Sequence, residues 1–270
     1  MSNNFDNNLY NPEGSILRQS QLAALDILIE FDRICKRHQL VYFLEFGTLL
    51  GAIRHNGFIP WDDDIDVSMP KEDFIFFQEI AEKEICPTYF IQTEKKEPES
   101  GMGHGMFKIR KNNTIWINDF DDFRRNYHKG ISIDVFELES YPKVSKKITK
   151  FFMKRLSKSF GFYHYFPRVS FKNCVAYFVF KPSWIIFYPL WKLLCILLPS
   201  DYIQPHIERL SFSNPSKEDV YFPPKTIYFE GYPFYGPNNP DIRLSDIFGD
   251  YHKLPPEKDR KCHYKYVNLF

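Results

Sequence analysis

Residues 47–67 read GTLLGAIRHNGFIPWDDDIDV, and this stretch is the strongest indication of fold in the chain. It places a glycine turn, the pair Arg54-His55 and four aspartates within 21 residues. The four acids crowd positions 62 to 66 and repel one another, and the apolar residues around them make unpaired charge costly. A bound divalent cation is the simplest compensation.

The acidic end of this stretch has the alternation of a strand. If Ile65, Val67 and Met69 lie on its buried side, Asp64 and Asp66 face the other way, because side chains alternate along a strand. Mg²⁺ suits such a pair, since it takes one or two protein carboxylates and fills its other positions with water and phosphate oxygens. Mn²⁺ is the alternative ion. The pattern therefore indicates phosphoryl chemistry.

The residues before the acidic run predict a strand and a helix start. Val41 to Phe46 is apolar and contains one acid, Glu45, which either pairs within the sheet or faces the site. Gly47-Thr48 then opens a helical turn whose free amide groups could hold a phosphate. Asp62 to Asp66 could instead be a solvated loop. A calcium loop is excluded, because the required glycine and distal glutamate are missing.

Residues 47–67 resemble the LicD family, whose relatives include fukutin and fukutin-related protein, nearly residue for residue. Weaker resemblance continues through Phe107 to Arg110 with Thr114, Gly130 to Phe136, Phe248 to Tyr251 and Leu254 to Pro256. Residues 141 to 220 show no such resemblance.

The resemblance implies a nucleotidyltransferase-type fold, in which a small mixed sheet carries an Asp-x-Asp pair and a third carboxylate on a neighbouring strand. By position, the catalytic metal pair falls on Asp64 and Asp66, the third carboxylate on Asp134, and Asp62 becomes an additional metal ligand. Asp63 is expected to point away. The family also implies transfer of a phosphorylated alcohol, in bacterial members phosphocholine from CDP-choline, onto a cell-surface glycan.

Asp134 has a second line of support. Ile131, Ile133 and Val135 alternate with Ser132, Asp134 and Phe136, so Asp134 interrupts a strand-like segment that otherwise has little polarity. It either pairs with a buried arginine or binds the metal, which we favour. Substrate contacts are expected at the glycine turn, and phosphate charge is expected to be stabilised by cationic side chains. The substrate-binding candidates are Gly47, Thr48, Arg54, His55, Lys108 and Arg110.

Apolar spacing predicts helices over residues 15–38 and 71–84, and strands over 89–92, 106–110 and 114–118. These elements indicate an α/β (α+β) fold with a small mixed sheet flanked by helices, plus a basic helical insertion. We divide the chain into a catalytic core at 1–140, a basic and aromatic region at 141–200, and a C-terminal segment at 201–270. That last segment is expected to pack on the core, and from Tyr221 onward to do so as loops and short helices.

The region 141–200 contains eleven Lys or Arg and no Asp or Glu, so the other 210 residues carry a charge of −10. Its apolar residues recur at helical spacing among the cations, which is typical of a helix lying on an anionic membrane. They are Val144, Ile148, Phe151, Phe152 and Leu156, followed by the interfacial aromatics Trp184, Tyr188 and Trp191. Lys181 and Lys192 interrupt the second segment, so it is too short to span a bilayer. We predict a membrane or acceptor contact, with an ordinary helical subdomain as the alternative and no nucleic-acid partner.

Composition limits the remaining classes. Five scattered cysteines without a Cys-x-x-Cys pair indicate neither zinc nor a disulfide framework. Residues 1–14 are polar and rich in Asn and do not resemble a signal peptide, so we expect a cytoplasmic protein, peripheral on the inner face of the membrane. The aromatic content of 18% suits glycans and quaternary ammonium groups, or reflects codon usage.

The sequence thus predicts a metal-dependent transferase that moves phosphocholine, or a similar phosphoryl-alcohol, from a CDP-linked donor to a sugar hydroxyl of a cell-surface glycan and releases CMP. CDP-choline is the expected donor, and the glycan can be lipid-linked. The alternatives are a nucleotidyltransferase that attacks the α-phosphate of an NTP and a non-catalytic binding scaffold of the same fold.

Overall fold

The computed structural model describes residues 10–100, 102, 105–118, 121, 125–164, 171–205 and 214–269, without the side chains of 157–164, 171–177 and 179–183. The helices are α1 (Ile16–Arg37), α2 (Phe46–His55), α3 (Lys71–Glu84), α4 (Lys146–His164), α5 (Phe171–Leu197), α6 (Glu218–Tyr221) and α7 (Pro240–Phe248). The strands are β1 (Phe43–Leu44), β2 (Asp66–Pro70), β3 (Tyr89–Gln92), β4 (Met106–Lys111), β5 (Thr114–Asn118), β6 (Ser132–Ser140), β7 (Tyr202–Pro205), β8 (Ser216–Lys217), β9 (Lys225–Phe229), β10 (Tyr232–Gly236) and β11 (Tyr264–Leu269).

A mixed sheet organises the fold, with the strand order β1, β2, β6, β4, β3. Strands β2 and β6 run parallel, whereas the other pairs along this order are antiparallel. The last three residues of β6 pair with β7, which in turn pairs with β8. The predicted α+β class, a mixed sheet flanked by helices, is confirmed.

One face of this sheet packs against α1 and α3. Ser15 caps α1 by accepting a hydrogen bond from the backbone N–H of Arg18, and the helix buries Ile27, Leu28 and Phe31 completely. The sheet residues in the same core are Ile65, Val67, Met69, Phe107, Ile109, Ile133 and Val135. Because side chains alternate along a strand, polar neighbours of these residues face the opposite side of the sheet.

A close backbone approach returns the chain from α2 to β2. A Cβ on Gly51 would lie 2.4 Å from the carbonyl oxygen of Gly57 and 3.1 Å from the amide nitrogen of Ile59, so a larger residue cannot fit without movement of the backbone. The helix ends at Asn56, whose φ of 58° is left-handed. This tight return brings the acidic run next to the start of α2.

The C-terminal segment contains strands as well as helices. Strands β7 and β8 extend the main sheet, β9 and β10 form a hairpin that buries Phe229 and Phe234, and β11 pairs with β5 in a separate two-stranded sheet. The expectation of loops and short helices from Tyr221 onward is therefore wrong for β9, β10 and β11, because the frequent prolines obscured their alternation. The division of the chain at residues 140 and 200 stays a prediction.

Helices α4 and α5 pack on each other through Phe152, Leu156 and Trp191, all of which are buried. The sequence interpretation that placed these three side chains against a membrane is wrong, because they cover one another. Lys192 is not a free cation either, since its ammonium group pairs with the buried Glu139. Across the described residues, no helix combines the length and the apolar character needed to cross a bilayer.

Candidate active site

The candidate site starts at the N-terminus of α2. Phe46, the first residue of the helix, has a φ of 46°, a left-handed conformation that a bulky side chain rarely adopts. At the next position, a Cβ on Gly47 would lie 2.6 Å from Oδ2 of Asp62. Glycine therefore leaves room for the Asp62 carboxylate beside the first turn of α2, where the helix dipole favours negative charge.

Two backbone contacts fix Asp66 at the start of β2. Its N–H donates to Oγ1 of Thr48 at 2.8 Å, and its carbonyl accepts from the N–H of Glu45 at 3.0 Å. On either side, Ile65 and Val67 are fully buried in the core. The carboxylate of Asp66 consequently faces the other side of the strand, as the alternation predicted.

Asp66, Asp134 and Lys108 form one row across β2, β6 and β4. Adjacent strands lie about 4.8 Å apart, so these side chains are neighbours on one face of the sheet. The ammonium nitrogen of Lys108 lies 2.6 Å from Oδ1 and 2.7 Å from Oδ2 of Asp134. Lys108 was predicted to stabilise phosphate, but here it neutralises a carboxylate of the row.

A cavity of about 470 Å³ opens at this row and collects the predicted metal ligands Asp62, Asp64, Asp66 and Asp134. The rest of its lining is Phe46, Gly47, Leu50, Ile59, Trp61, Phe136, Ile247, Phe248, Asp259, Lys261 and His263. Burial, followed by repulsion from neighbouring aspartates, raises the pKa of Asp62, Asp64 and Asp66. The cavity thus presents several hard oxygen donors of like charge, close enough to repel one another.

Asp63 points away from the cavity, as predicted, and anchors the C-terminal segment. Its buried carboxylate accepts hydrogen bonds from the backbone N–H groups of His263 and Tyr264, at 3.3 and 2.9 Å. A further hydrogen bond between Asp63 and Nδ1 of His263, at 3.1 Å, raises the pKa of His263 to about 9. Single ligand atoms of Asp62, Asp63 and His263 lie within 4.8 Å of one another, but a protonated His263 acts at neutral pH as the ion-pair partner of these acids and not as a metal ligand.

Comparison with known proteins identifies the family in which these elements occur together. A family model described as "LicD/FKTN/FKRP, nucleotidyltransferase domain" matches residues 39–178, just over half of the chain. The chain belongs to the LicD family. The matched segment contains α2, β2 and β6, and with them all four of the predicted metal-binding aspartates.

Among LicD relatives, the chain is 29% identical over 269 residues to "Lipopolysaccharide cholinephosphotransferase LicD" of Haemophilus influenzae, which covers 92% of this chain and 96% of that protein. Two uncharacterized Rickettsia proteins match shorter stretches. The protein of Rickettsia typhi is 38% identical over 65 residues, or 24% of this chain and 21% of its own length. The protein of Rickettsia prowazekii is 39% identical over 59 residues, 22% of each.

Two cationic candidates in the LicD block contact other parts of the chain. Arg54 donates to the carbonyl oxygen of Tyr251 at 3.0 Å and, through Nε, to His55 at 3.0 Å. Burial and the charge of Arg54 lower the pKa of His55 to about 4. At neutral pH a neutral His55 would contact a phosphate as a hydrogen-bond donor and not as a cation. Substrate contact by His55 and by Arg54 stays a prediction.

Thr48 and Arg110 also lie outside the cavity lining. The hydroxyl of Thr48 holds the backbone of Asp66, so it positions a predicted ligand. Arg110 is buried and donates to Oε1 of Gln92 and to the carbonyl oxygen of Gly130, both at 2.6 Å. Substrate contact by Thr48 and by Arg110 stays a prediction, and their positions outside the cavity lining do not favour it.

Sequence reasoning missed much of the cavity wall. Lys261 and His263 come from the C-terminal segment, about 200 residues after the acidic run, and no local pattern marks them. Phe46 and Phe136 pack edge to face, with ring centroids 5.7 Å apart, and both line the cavity. For Phe248 a signal existed, because it belongs to a segment with weak LicD resemblance.

Proposed function

We propose that this LicD-family chain is a metal-dependent transferase that moves phosphocholine from CDP-choline to a sugar hydroxyl of a cell-surface glycan and releases CMP. The observation that carries the proposal is the convergence of Asp62, Asp64, Asp66 and Asp134 on one cavity. Similarity along nearly the whole chain to a lipopolysaccharide cholinephosphotransferase supports the choice of phosphocholine and of a glycan acceptor.

The donor set fits Mg²⁺ or Mn²⁺. All four groups are carboxylates, which hard cations prefer, and the raised pKa values of three of them reflect negative charge that a cation would offset. Asp64 and Asp66 would hold the ion, with Asp62 and Asp134 as further ligands. A bound ion would supply neutralisation of charge on the diphosphate and on the departing CMP.

The residues around the carboxylates suit the two ends of the donor. The first turn of α2 has no side-chain cap and Gly47 in that turn lines the cavity, so the amide groups at this helix N-terminus are suited to hold a phosphate. The aromatic side chains Phe46, Phe136 and Phe248 line the same cavity, and an aromatic ring attracts a quaternary ammonium group over its face. We assign choline to this aromatic wall.

Asp134 is assigned to the attacking hydroxyl. Lys108 donates to both of its oxygens and fixes the orientation of the carboxylate, which lines the cavity beside Asp66. From that position Asp134 can accept the proton of the sugar hydroxyl, or it can serve as a ligand of a second ion. The two roles do not exclude each other, and a pH profile of turnover distinguishes them.

The test is an incubation with a panel of CDP-alcohols, a lipopolysaccharide acceptor and Mg²⁺ or Mn²⁺, with CMP measured. We expect CMP from CDP-choline, dependence on added metal, and loss of turnover in Asp66→Asn. Asp219→Asn is the matched control, because Asp219 is exposed on α6 and outside the cavity. Absence of CMP across the whole panel would refute the proposal.

Nucleotidyl transfer is the second candidate, and the description of the matching family model favours it. The same carboxylates would then serve attack at the α-phosphate of an NTP. Pyrophosphate, measured in parallel incubations with NTPs, distinguishes this reaction from CMP release. Loss of turnover in a folded Asp64→Ala variant would exclude a non-catalytic scaffold, whereas absence of turnover by the parent protein with either donor class would favour one.

A further inference from the structure

Helix α5 has an apolar stripe that the rest of the described chain leaves exposed. Its members follow one another at intervals of one, four, three, three and one residues, so they share one side of the helix. They are Ile185, Ile186, Leu190, Leu193, Ile196 and Leu197. The most exposed are Ile196 at 74% and Ile185 at 71% of their full accessible surface. Trp191, on the opposite side, is fully buried against α4.

This stripe is not explained by packing within the chain. Six large aliphatic side chains from residue 185 to residue 197 extend about 18 Å along the helix. Contiguous apolar patches of this kind are uncommon on the surface of a monomer and mark contact with a protein or a membrane. The catalytic cavity does not use them, because its lining residues come from other elements.

The charge beside the stripe indicates what covers it. Helix α4 and the loop before it expose five lysines, namely Lys143, Lys146, Lys147, Lys150 and Lys154. No ion pair to any of these five is seen in the described part of the chain, and residues 141–200 contain no acid. An exposed basic helix paired with a helix that carries an apolar stripe complements anionic headgroups over a hydrocarbon layer.

We propose that the α4–α5 hairpin docks on an anionic lipid bilayer, with the stripe of α5 in the plane of the interface and the lysines of α4 at the headgroups. Association of two copies through the same face is disfavoured, because it would bring the two lysine clusters together. The helix would lie on the membrane and not span it, in agreement with the absence of a spanning helix among the described residues. The proposal goes beyond the transfer reaction and does not depend on it.

Vesicle flotation of the full chain tests this. Phosphatidylcholine vesicles with and without phosphatidylglycerol are compared at physiological salt, so that any choline-specific binding is common to both. We expect flotation with the anionic vesicles and its loss in the double variant Leu193→Glu, Ile196→Glu. The matched control is Ile75→Glu on α3, which changes an exposed isoleucine in the same way and should float like the parent.

A second variant tests the charge contribution without touching the stripe. Replacing Lys147 and Lys150 with alanine should weaken binding about fivefold per lysine and lower its sensitivity to salt. Circular dichroism and thermal melting of each variant establish that it is folded. Absence of flotation with anionic vesicles, or flotation that survives the Leu193→Glu, Ile196→Glu change in a folded protein, would overturn the proposal. So would a lipid-free dimer, seen by sedimentation velocity, that this double variant dissociates.

Discussion

Replacing Arg243 with methionine removes the counter-ion of Glu45, the acid that immediately precedes α2. Both side chains are completely buried, and Nε and Nη2 of Arg243 lie 2.7 and 2.6 Å from Oε1 of Glu45. The other carboxylate oxygen accepts from Ser68 and Tyr221, at 3.0 and 3.2 Å. Glu45 therefore anchors the C-terminal segment to the main sheet. Of the two possibilities that its sequence position left open, pairing within the fold holds, since Glu45 is not among the residues that line the cavity.

The expected cost follows from this burial. Removing one partner of a fully buried ion pair lowers the free energy of unfolding by about 3 to 5 kcal/mol. Arg243→Met also leaves the carbonyl oxygen of Asn214 and the hydroxyl of Ser216 without the Arg243 donor. For a chain of this size the melting temperature should fall by roughly 10 °C. Adding Glu45→Gln should recover part of the loss, because the uncompensated charge is then absent, with a coupling energy of about 1 to 3 kcal/mol.

Urea denaturation followed by circular dichroism measures these free energies for the parent, both single variants and the double variant. Arg33→Met is the matched control: Arg33 pairs with Glu30 at the surface, so its loss should cost under about 1 kcal/mol. A loss in Arg243→Met no larger than in this control would refute the reasoning. Additive single effects would do so as well, since they would mean that the two charges do not depend on each other.

Three further outcomes are expected at the site. Asp66→Asn should raise the melting temperature of the metal-free protein, because it relieves repulsion between the aspartates. In the parent, Mg²⁺ at a hundred times its dissociation constant should add about 2.7 kcal/mol of stability, and Asp66→Asn should abolish this gain. Differential scanning fluorimetry measures both effects. Gly47→Ala should reduce turnover at least about tenfold by displacing Asp62, whereas the fold should persist in circular dichroism. Phe248→Ala should raise the KM for CDP-choline about two- to fivefold, an effect that a donor without a quaternary ammonium group should not show.

Local patterns predicted the elements that carry the aspartates. The alternation around Ile65 and Val67 identified the face that presents Asp66, and helical spacing gave α3 with both of its ends. Both signals depend only on residues a few positions apart, so the sequence contains them directly. The pairing of Lys108 with Asp134 is different, because it depends on the register of β4 against β6.

Contacts over long sequence separations explain the other differences. Arg243 lies 198 residues from Glu45, and His263 lies 200 residues from Asp63. In each case the sequence shows the earlier acid without its partner: Glu45 could pair within the sheet or face the site, and Asp63 could only be expected to point away from it. Only the folded chain shows that Asp63 and Glu45 hold the C-terminal segment and that His263 also lies 3.9 Å from Asp62. Within the acidic run this leaves Asp64 and Asp66 without an ion pair in the described part of the chain.

The same limit applies to the basic region, where periodicity identified an apolar face but not what covers it. The spacing of Phe152 and Leu156 is equally typical of a helix on a membrane and of a helix on another helix, and the buried Trp191 decides for the second. Helix α5 is apolar on both sides, so satisfying one side against α4 leaves the other in need of a partner. The lysines of α4 stay exposed after α4 and α5 have packed together. The positive charge of this region therefore lies on the outer surface, where it can attract an anionic membrane surface.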